Sequence, residues 1–415
     1  MAQSDLYDVA ISGGGMVGAT LAIALDQAGF RVVLVEAETD SVLQDVGFDG
    51  RASAIAFSCL HQWRTLGIDD EFLARAQRID HILITEGQRP GESAARLPSV
   101  RLELSAEDLG DSAPGEPLGW MIENRLTRLA LSRALSETKV TIIRPERVMG
   151  AAFTQGLAEL SLGSGATITA RLAVSCEGRR SVLRDAAGIS IGRSDYRQTG
   201  VVATVQLANP HKATAWQHFT PSGPLAILPL AGDRASLVWT ENSEQAEALL
   251  SLPKDAFESL LTRRFGDALG RPRLIGQRFG YPLSRQLPEK TVSTRLALVG
   301  DAAHGTHPLA GQGLNLGLKD IAALAEILSN ARDLGEDFGG PLVLERYAQW
   351  RRFDVIGAIT AADIIARVFS NDLDILRWAR RAALFTAQTV PGIKQWLALE
   401  AGGALGDAPK SLAQG

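Results

Sequence analysis

The chain has 415 residues, of which 46% are hydrophobic and 21% are charged, and its formal net charge is −5 at pH 7. This composition predicts a folded globular protein with room for two domains, and it excludes a largely disordered chain. The acidic balance and the lack of a basic run argue against a broad nucleic-acid-binding surface.

The two cysteines, Cys59 and Cys176, form neither a disulfide framework nor a CxxC motif, as expected of a protein in a reducing cytoplasm. The N-terminal residues carry no basic leader, and no run of 18 uncharged apolar residues occurs in the sequence. We therefore expect a cytoplasmic protein that is not exported and has no spanning helix.

The N-terminal segment predicts a β-α-β unit. An apolar strand leads into Gly13-x-Gly15-x-x-Gly18, and a helix is predicted over residues 17–28. The first glycine permits a tight turn, the second lets the backbone approach a pyrophosphate, and the third lets the helix pack on the strand. Glu36 ends the next apolar strand, where a carboxylate can accept from both ribose hydroxyls of an unphosphorylated adenosine.

The next part of the chain contains two arginines with special positions. Arg51 is the charge that stands out before a segment of small and apolar residues. Residues 89–117 are rich in Gly, Pro, Ser and Glu, which predicts a surface excursion rather than core. Asn124 is predicted to cap a helix over residues 125–135, and Arg125 then lies at the start of that helix.

The remaining elements predict two sheets and a helical end. Short strands over 147–175 suggest a β-meander, and alternating strands over 199–287 predict a second, antiparallel sheet interrupted by a helix at 254–265. Apolar residues spaced near 3.6 predict helices through 344–369 and 373–386. The arginines on these helices fit a solvated basic face on a packed tail, or a surface that meets acidic lipid or a partner.

Gly300-Asp301 follows an apolar strand, so the aspartate is expected at the carboxyl edge of the sheet, where ligands of open α/β sheets bind. The loop at 302–315 is poor in bulky side chains and enters a helix over 316–328. A flat ring can lie against such a backbone, and the helix N-terminus can stabilise an anion that develops on the ring. Together with the glycine turn, these features predict one flavin held at both ends.

A third motif, Cys176-Glu177-Gly178-Arg179-Arg180-Ser181-Val182-Leu183-Arg184, follows a predicted strand. With the motifs above, the chain resembles the class A FAD-dependent aromatic hydroxylases, the 4-hydroxybenzoate hydroxylase-like group, and within it the ubiquinone-biosynthesis hydroxylase family. Members of the group carry Asp-Gly-x-x-Ser-x-x-Arg in this segment. Glu177 stands here in place of the aspartate, whereas Ser181 and Arg184 match.

The resemblance implies an α/β fold with three parts: a Rossmann-like FAD-binding domain of the glutathione reductase type 2 flavoproteins, an antiparallel-sheet substrate domain, and a C-terminal helical region. The expected division is 1–75, 118–190 and 290–340 for the FAD-binding domain, 76–117 and 191–289 for the substrate-binding domain, and 341–415 for the helical region.

The resemblance also implies FAD and NAD(P)H as cofactors, and it assigns the site residues by motif. The residues expected to bind the cofactor are Gly13, Gly15, Met16, Val17, Gly18, Glu36, Arg51, Arg125, Gly300, Asp301, Pro308, Gly311, Gly313, Leu314 and Asn315. The residues expected nearest the reaction are His307 and Pro308, which the resemblance places near the reactive edge of the flavin, and Gln217 and Pro229. Gln217 and Pro229 lie on predicted strands whose side chains face either the flavin cavity or the core of their own domain.

Each of these assignments has a plainer alternative. A surface salt bridge is the alternative for Arg51 and Arg125, and a hydrogen bond within its own loop is the alternative for His307. His304 and His307 are spaced three apart, but no carboxylate or thiolate cluster accompanies them, so no metal site is expected.

The activity implied by the resemblance is that of an FAD-dependent monooxygenase that uses NAD(P)H and O2. It would hydroxylate the aromatic ring of a polyprenylated phenol in ubiquinone biosynthesis, via a flavin C4a-hydroperoxide. The alternatives are a hydroxylase of another aromatic substrate and a flavin-binding, non-catalytic component of a quinone-biosynthesis complex. The expected partners are a small hydrophobic aromatic substrate and other ubiquinone-biosynthesis proteins, with an oligomer and peripheral contact at the inner face of the membrane left open.

Overall fold

The computed structural model describes residues 6–411 apart from positions 44, 46, 48–49, 69–71, 87–100, 221, 266–269, 306–311, 370–373 and 407–408. Within these residues the chain forms three sheets and a set of helices that pack on them.

The strands, in chain order, are β1 Leu6–Ser12, β2 Val32–Val35, β3 Ala52–Ala56, β4 Gln77–Ile79, β5 His81–Glu86, β6 Arg101–Ser105, β7 Gly119–Glu123, β8 Thr141–Ile143, β9 Val148–Phe153, β10 Ala158–Leu162, β11 Thr167–Ser175, β12 Ile191–Gln206, β13 Thr214–Thr220, β14 Gly223–Leu230, β15 Arg234–Asn242, β16 Arg273–Pro288, β17 Val292–Ser293 and β18 Leu296–Leu298. The helices are α1 Met16–Gln27, α2 Asp40–Leu43, α3 Phe57–Thr65, α4 Asn124–Ser136, α5 Val182–Ala186, α6 Ser243–Ser251, α7 Lys254–Phe265, α8 Gln312–Asp333, α9 Pro341–Phe369, α10 Asp374–Thr389 and α11 Pro391–Ala401.

The first sheet has the strand order β17-β18-β11-β1-β2-β8, and β9 and β10 extend it from β11. β1 runs parallel to β2 and β11, and β18 runs parallel to β11. The central strands are apolar on both faces because each face is covered. Val9 and Ile11 pack with α1 and α8, whereas Ala10 packs in a second cluster on the other side. The predicted parallel sheet is confirmed.

The carboxyl ends of three strands of this sheet meet at one edge. Ser12 of β1 pairs with Ser175 of β11, and Ser175 pairs with Leu298 of β18. The glycine turn, the segment that begins at Cys176 and the Gly300-Asp301 turn therefore all start from neighbouring strand ends.

The second sheet has the order β16-β12-β15-β14-β13-β5-β6. Its pairings are antiparallel except for the parallel pair of β13 and β5, so the predicted antiparallel sheet is confirmed. β14 and β15 pair as an antiparallel hairpin. One face carries a core in which Val201, Ile227 and Trp239 pack with Phe257 and Leu261 of α7. The interrupting helix covers this face because its apolar residues recur at helical spacing.

A small third sheet, with the order β3-β7-β4, lies between the other two. It joins β4 from the predicted substrate domain with β3 and β7 from the predicted FAD-binding domain. Ile79 and Met121 of this sheet pack against Ala215 and Leu230 of the second sheet.

The expected surface excursion is wrong for residues 101–117. Leu102 and Leu104 alternate along β6 and are 4% exposed, and Leu109 in the following 3-10 turn is fully buried. They pack with Leu384 of α10. The two-residue period of this short strand is hidden when composition is averaged over the longer polar segment.

The C-terminal part is helical, as predicted. α9 packs into the core of the first sheet and α8 through residues such as Tyr347. α10 and α11 pack beside β6. None of the helices in the described part of the chain combines the length and the apolar character needed to cross a lipid bilayer.

Candidate functional site

The glycine turn after β1 has the geometry of an anion-binding loop. Gly13 has a φ of +98°, and a Cβ at Gly18 would overlap the carbonyl oxygen of Gly13, so glycine is required at both positions. At Gly15, by contrast, no atom from outside its immediate chain neighbours lies within 4 Å of the Cβ position. Gly15 is also the N-cap of α1, and no side chain caps this helix. The open space and the uncapped helix start, with Met16 and Val17 in the first turn, fit a diphosphate.

Glu36 lies directly after β2 and is 8% exposed. Its Oε2 accepts from the Gly14 N–H at 2.5 Å, and its Oε1 accepts from the Glu38 N–H at 2.7 Å. The carboxylate lines a solvent-open cleft with about 430 Å³ of empty volume, together with Arg128 and Ser132 of α4. Each carboxylate oxygen retains a further lone pair, so Glu36 can still accept from a ribose placed in this cleft.

The Gly300-Asp301 turn lies beside the glycine turn, although the two are far apart in the sequence. A Cβ at Gly300 would lie 3.3 Å from Val17 Cγ1, and a Cβ at Gly317 of α8 would lie 2.9 Å from Val17 Cγ2. Val17 is therefore the point where α1, the Gly300 turn and α8 meet. The Asp301 side chain is 49% exposed at this edge, so it is accessible to a ligand.

A buried ion network supports the Gly300 turn from below. Asp320 Oδ2 accepts from the Gly300 N–H at 2.9 Å and lies 2.5 Å from His304 Nε2, while Oδ1 accepts from Arg351 Nε at 2.7 Å. His304 and Asp320 are 1% exposed, and Arg351 is 4% exposed. Asp320 was missed in the sequence analysis. Its signal in the sequence is an acidic residue that lies after Leu316 within the apolar stripe of the predicted helix.

The contacts of the network favour the charged forms of His304 and Asp320. Burial disfavours a charged imidazole, but the neighbouring Asp320 carboxylate outweighs burial and raises the pKa of His304. Burial likewise disfavours the carboxylate, yet His304 and Arg351 together hold the pKa of Asp320 below its usual value. The buried charges thus compensate one another directly under the turn that presents Asp301.

Glu177, which replaces the aspartate expected by resemblance, is turned inward as an acceptor. Its Oε1 accepts from Ser12 Oγ at 2.9 Å, and its Oε2 accepts from Ser181 Oγ at 2.7 Å and from the Leu183 N–H at 3.1 Å. Ser175 Oγ lies within 3.1 Å of the same oxygen. The longer side chain therefore links the ends of β1 and β11 to the start of α5.

We expect Glu177→Ala to lower the free energy of unfolding by about 1–3 kcal/mol, because it leaves several buried hydroxyl and N–H donors without their acceptor. The change is measured by urea unfolding of the apoprotein. Glu159→Ala, at an exposed position of β10, is the control and should change stability by less than about 0.5 kcal/mol. Equal stability of both variants would show that Glu177 does not brace this edge.

Arg184, another residue of this motif, is also a buried brace. It is 1% exposed, and its guanidinium donates to the carbonyl oxygens of Arg179 at 3.1 Å and Ala302 at 3.4 Å. It ties the segment after β11 to the residue that follows Asp301.

The second sheet is attached to the same edge by Arg179. Its Nη1 donates to Ser284 Oγ of β16 at 2.8 Å, and its Nε lies 3.9 Å from Asp301 Oδ2. Gln286 of β16 also exchanges two backbone hydrogen bonds with Gly305, at 2.8 and 2.9 Å. The strand that borders the second sheet is thus fixed to the loop that carries Asp301.

Arg125 is paired with a glutamate that the sequence interpretation did not select. Its Nε donates to Glu123 Oε2 at 2.7 Å, and Arg234 of β15 donates to Glu123 Oε1 at 2.9 Å. Glu123 is 5% exposed. The sequence feature that could have identified Glu123 is its position immediately before Asn124 and Arg125, at the end of a predicted strand.

The predicted capping role of Asn124 is wrong. α4 begins at Asn124 itself, and the extended N-cap residue is Glu123, because the β7 backbone continues to that position. The Asn124 side chain instead accepts from Ser53 Oγ at 2.8 Å, and the Asn124 backbone N–H donates to the Arg51 carbonyl at 3.0 Å. Arg51 is exposed at the start of β3.

The predicted residues at the start of α8 divide into two groups. Gly313, Leu314 and Asn315 lie in the first turn of this helix, whereas His307, Pro308 and Gly311 lie outside the described residues. Asn315 is 3% exposed, and its amide exchanges hydrogen bonds with the β3 backbone, accepting from the Ala56 N–H at 3.0 Å and donating to the Ala54 carbonyl at 2.9 Å. Its side chain therefore anchors α8 to β3.

Gln217 and Pro229 lie on opposite faces of the second sheet. Gln217 pairs with Ala226, while the neighbouring pair of Trp216 and Ile227 belongs to the core under α7. Pro229 lies two residues after Ile227 and therefore on the same, core-facing side of β14, where it is paired with the buried Ala235. A cavity on one face of the sheet can be lined by only one of the two, so the expectation that both are nearest to one cavity is wrong.

Comparison with known proteins agrees with this geometry. A family model described as FAD binding domain matches residues 6–354. The ubiquinone hydroxylase UbiL of Rhodospirillum rubrum is 41% identical over 411 residues, which cover 98% of this chain and 92% of that protein. The 3-demethoxyubiquinol 3-hydroxylase of Escherichia coli is 34% identical over 392 residues, or 94% of this chain and 96% of that protein.

The fold is shared with a solved monooxygenase. The crystal structure of p-nitrophenol 4-monooxygenase PnpA from Pseudomonas putida has a TM-score of 0.75 at 20% identity, covering 95% of this chain and 98% of that one. The family match spans the first sheet, the second sheet and the start of α9. The chain belongs to the FAD-binding domain family, among the class A aromatic hydroxylases and in their ubiquinone-biosynthesis branch.

Proposed function

We propose that the protein is an FAD-dependent monooxygenase that hydroxylates the aromatic ring of a polyprenylated phenol in ubiquinone biosynthesis, with NAD(P)H as reductant and O2 as oxygen source. The observation that carries the proposal is the meeting of the glycine turn, Glu36 and Asp301 at one sheet edge. The similarity to UbiL along 98% of the chain supports the substrate class.

Different residues at this edge are proposed to bind different parts of the cofactor. We propose that Gly15 and the first N–H groups of α1 bind the diphosphate, that Glu36 binds the adenosine ribose, and that Asp301 binds the polyol chain. Arg51 and Arg125 remain our candidates for the region between them. A flavin held by these residues would supply the redox chemistry for hydroxylation of an electron-rich ring, with NAD(P)H as reductant and O2 as oxygen source.

The protein's own residues position the substrate and exclude water from the reaction. The attachment of β16 through Arg179, Ser284 and Gly305 holds the second sheet against the edge that carries Asp301. We propose that the substrate ring is bound between this sheet and the cofactor edge, with Gln217 on the face that packs toward the third sheet. We further propose that His307 and Pro308 lie near the reacting ring and help to exclude water from it. We also propose the domain boundaries predicted from the sequence.

We expect Asp301→Ala to lower FAD affinity about 10- to 100-fold, because one charge-assisted hydrogen bond to the polyol is lost. The measurement is the ratio of flavin absorbance to protein after purification, followed by titration of the apoprotein with FAD. Asp333→Ala, at an exposed helix end, is the control. Unchanged flavin content in Asp301→Ala would contradict the site assignment.

The activity itself is tested with phenolic quinone precursors. The proposal expects substrate-dependent NAD(P)H oxidation and O2 uptake, and accumulation of one under-hydroxylated quinone intermediate in a deletion strain. A flavin-binding component without turnover would show neither oxidation nor uptake. As part of the proposal, other ubiquinone-biosynthesis proteins are its partners, and it acts in the cytoplasm at the inner face of the membrane.

A further inference from the structure

Glu123 is a buried carboxylate that two arginines share. It ends β7 and is 5% exposed. Its Oε2 accepts from Arg125 Nε at 2.7 Å, and its Oε1 accepts from Arg234 Nη2 at 2.9 Å. A carboxylate at this depth is costly unless cations compensate it, and charge-assisted hydrogen bonds to guanidinium groups are short and directional. The three side chains therefore fix one another's positions.

The carboxylate lies where the three sheets meet. Within the third sheet, Glu123 pairs with Ala52 of β3. Met121, two residues earlier on the same face of β7, packs with Leu230 of the second sheet. The Glu123 side chain therefore leaves β7 toward the second sheet, where Arg234 begins β15.

Arg125 lies on the side of α4 that borders the cofactor cleft. Arg128 and Ser132 of this helix line the cleft together with Gly15 and Glu36. Arg125 precedes Arg128 by three residues and Ser132 by seven, so all three share one face of the helix. Glu123 thus holds the residue that continues this face toward the start of α4.

Arg234 connects the same carboxylate to the hairpin of β14 and β15. Its Nε donates to the Ala231 carbonyl in the hairpin turn at 3.2 Å, while Nη2 reaches Glu123. The side chains of Arg125 and Arg234 are 26% and 29% exposed, so burial alone does not fix either guanidinium. Their contact with Glu123 supplies this constraint, and it joins α4 to the second sheet.

We propose that Glu123 is a positioning residue that holds the Arg125 guanidinium ready for FAD and joins it through Arg234 to the second sheet. An arginine that is already held loses less side-chain freedom when the cofactor binds. Binding of FAD should in turn restrain the β14–β15 hairpin. The inference rests on the proposed function, because Arg125 is a candidate FAD ligand there, whereas Glu123 and Arg234 have no role in it.

The first test is titration of the full-length apoprotein with FAD, followed by flavin fluorescence. Glu123→Gln keeps the size of the side chain but removes its charge, and we expect FAD affinity to fall about 3- to 10-fold, the cost of ordering one long side chain. In a double-mutant cycle, Glu123→Gln/Arg125→Gln should bind FAD no more weakly than Arg125→Gln, because Glu123 acts through that guanidinium.

The matched control is Glu336→Gln. Glu336 pairs with Arg346 at 2.8 Å, past the end of α8 that is remote from the cofactor edge. The variant makes the same chemical change at another arginine pair, and its FAD affinity should equal that of the wild type.

The second test is hydrogen exchange at the β14–β15 hairpin with and without FAD. We expect FAD to slow exchange there in the wild type. Arg234→Gln should lose this protection but keep FAD affinity within about twofold, since the pair of Glu123 and Arg125 is retained. This variant leaves the buried carboxylate a cationic partner, so it tests the link to the second sheet even if Glu123→Gln does not fold.

Unchanged or tighter FAD binding by Glu123→Gln overturns the inference, and so do effects of Glu123→Gln and Arg125→Gln that simply add, because a purely structural role predicts additivity. A wild-type hairpin whose exchange does not respond to FAD overturns it as well. In each of these cases normal FAD binding by the wild type leaves the proposed function standing. A wild-type apoprotein that does not bind FAD overturns both.

Discussion

Alanine at Gly15 is expected to abolish FAD retention while leaving the apoprotein as stable as the wild type. The Cβ would enter open space in which no atom beyond the immediate chain neighbours lies within 4 Å, at a backbone φ of −61° that alanine adopts readily. The apoprotein should therefore be equally stable or gain about 0.4–1 kcal/mol from the lower entropy of its unfolded chain. The same methyl occupies the space through which a diphosphate approaches the backbone, so FAD affinity should fall about 100-fold or more.

Gly18→Ala is the contrasting variant of the same turn. Its Cβ would overlap the Gly13 carbonyl oxygen, so α1 cannot keep its place on β1, and we expect a loss of about 3 kcal/mol or more or a failure to fold. Urea unfolding of apoproteins separates stability from binding, because bound FAD would itself stabilise the fold. Gly150→Ala, where a Cβ also meets nothing within 4 Å, is the control away from the site. Full FAD content in Gly15→Ala would mean that the diphosphate lies elsewhere.

The elements with local signals could be predicted from the sequence. The glycine spacing and the apolar run after it gave a helix over 17–28, which is observed as Met16–Gln27. The helix predicted at 254–265 agrees with Lys254–Phe265, because its ends and its apolar spacing are set by neighbouring residues. The meeting of the two turns was also predictable, since parallel strands deliver their carboxyl ends to one edge.

The contacts that shape the site were not predictable, because they join residues whose separation in the sequence carries no pattern. Asp320 reaches both Gly300 and Arg351, and neither partner can be read from the helix that carries it. Asn315 was expected at the cofactor, yet its amide is used by the β3 backbone. In each case tertiary packing decides which of several available partners a polar side chain takes.

Asp320→Asn is expected to lower the free energy of unfolding by about 3–5 kcal/mol, the usual cost of leaving a buried charge without its partner. The amide keeps the size of the side chain but removes the negative charge that faces His304 and Arg351. It also weakens the acceptor of the Gly300 N–H, so flavin content should fall with stability. Asp354→Asn, at a partly exposed partner of Arg351, is the control and should cost no more than about 1 kcal/mol. Wild-type stability in Asp320→Asn would contradict the importance of this network.

The same network predicts a definite dependence of stability on pH, measured as the difference in unfolding free energy between the wild type and His304→Gln. Asp320 raises the pKa of His304 in the folded state above the unfolded value of 6.5, so the histidine's contribution is complete below pH 6.5 and is lost as the pH rises through the folded value. The pKa of Asp320 is lowered below the unfolded value of 3.8, so its contribution is complete above pH 3.8 and is lost as the pH falls through the folded value.

The stability advantage of the wild type over His304→Gln should therefore be greatest between pH 3.8 and 6.5. It should shrink at higher pH, because the neutral imidazole no longer compensates the carboxylate. Groups that do not interact with His304 cancel in the difference, whereas Asp320 does not, because His304 contributes to its lowered pKa. An advantage that grows as the pH rises above 6.5 would contradict a raised pKa of His304 beneath the Asp301 turn.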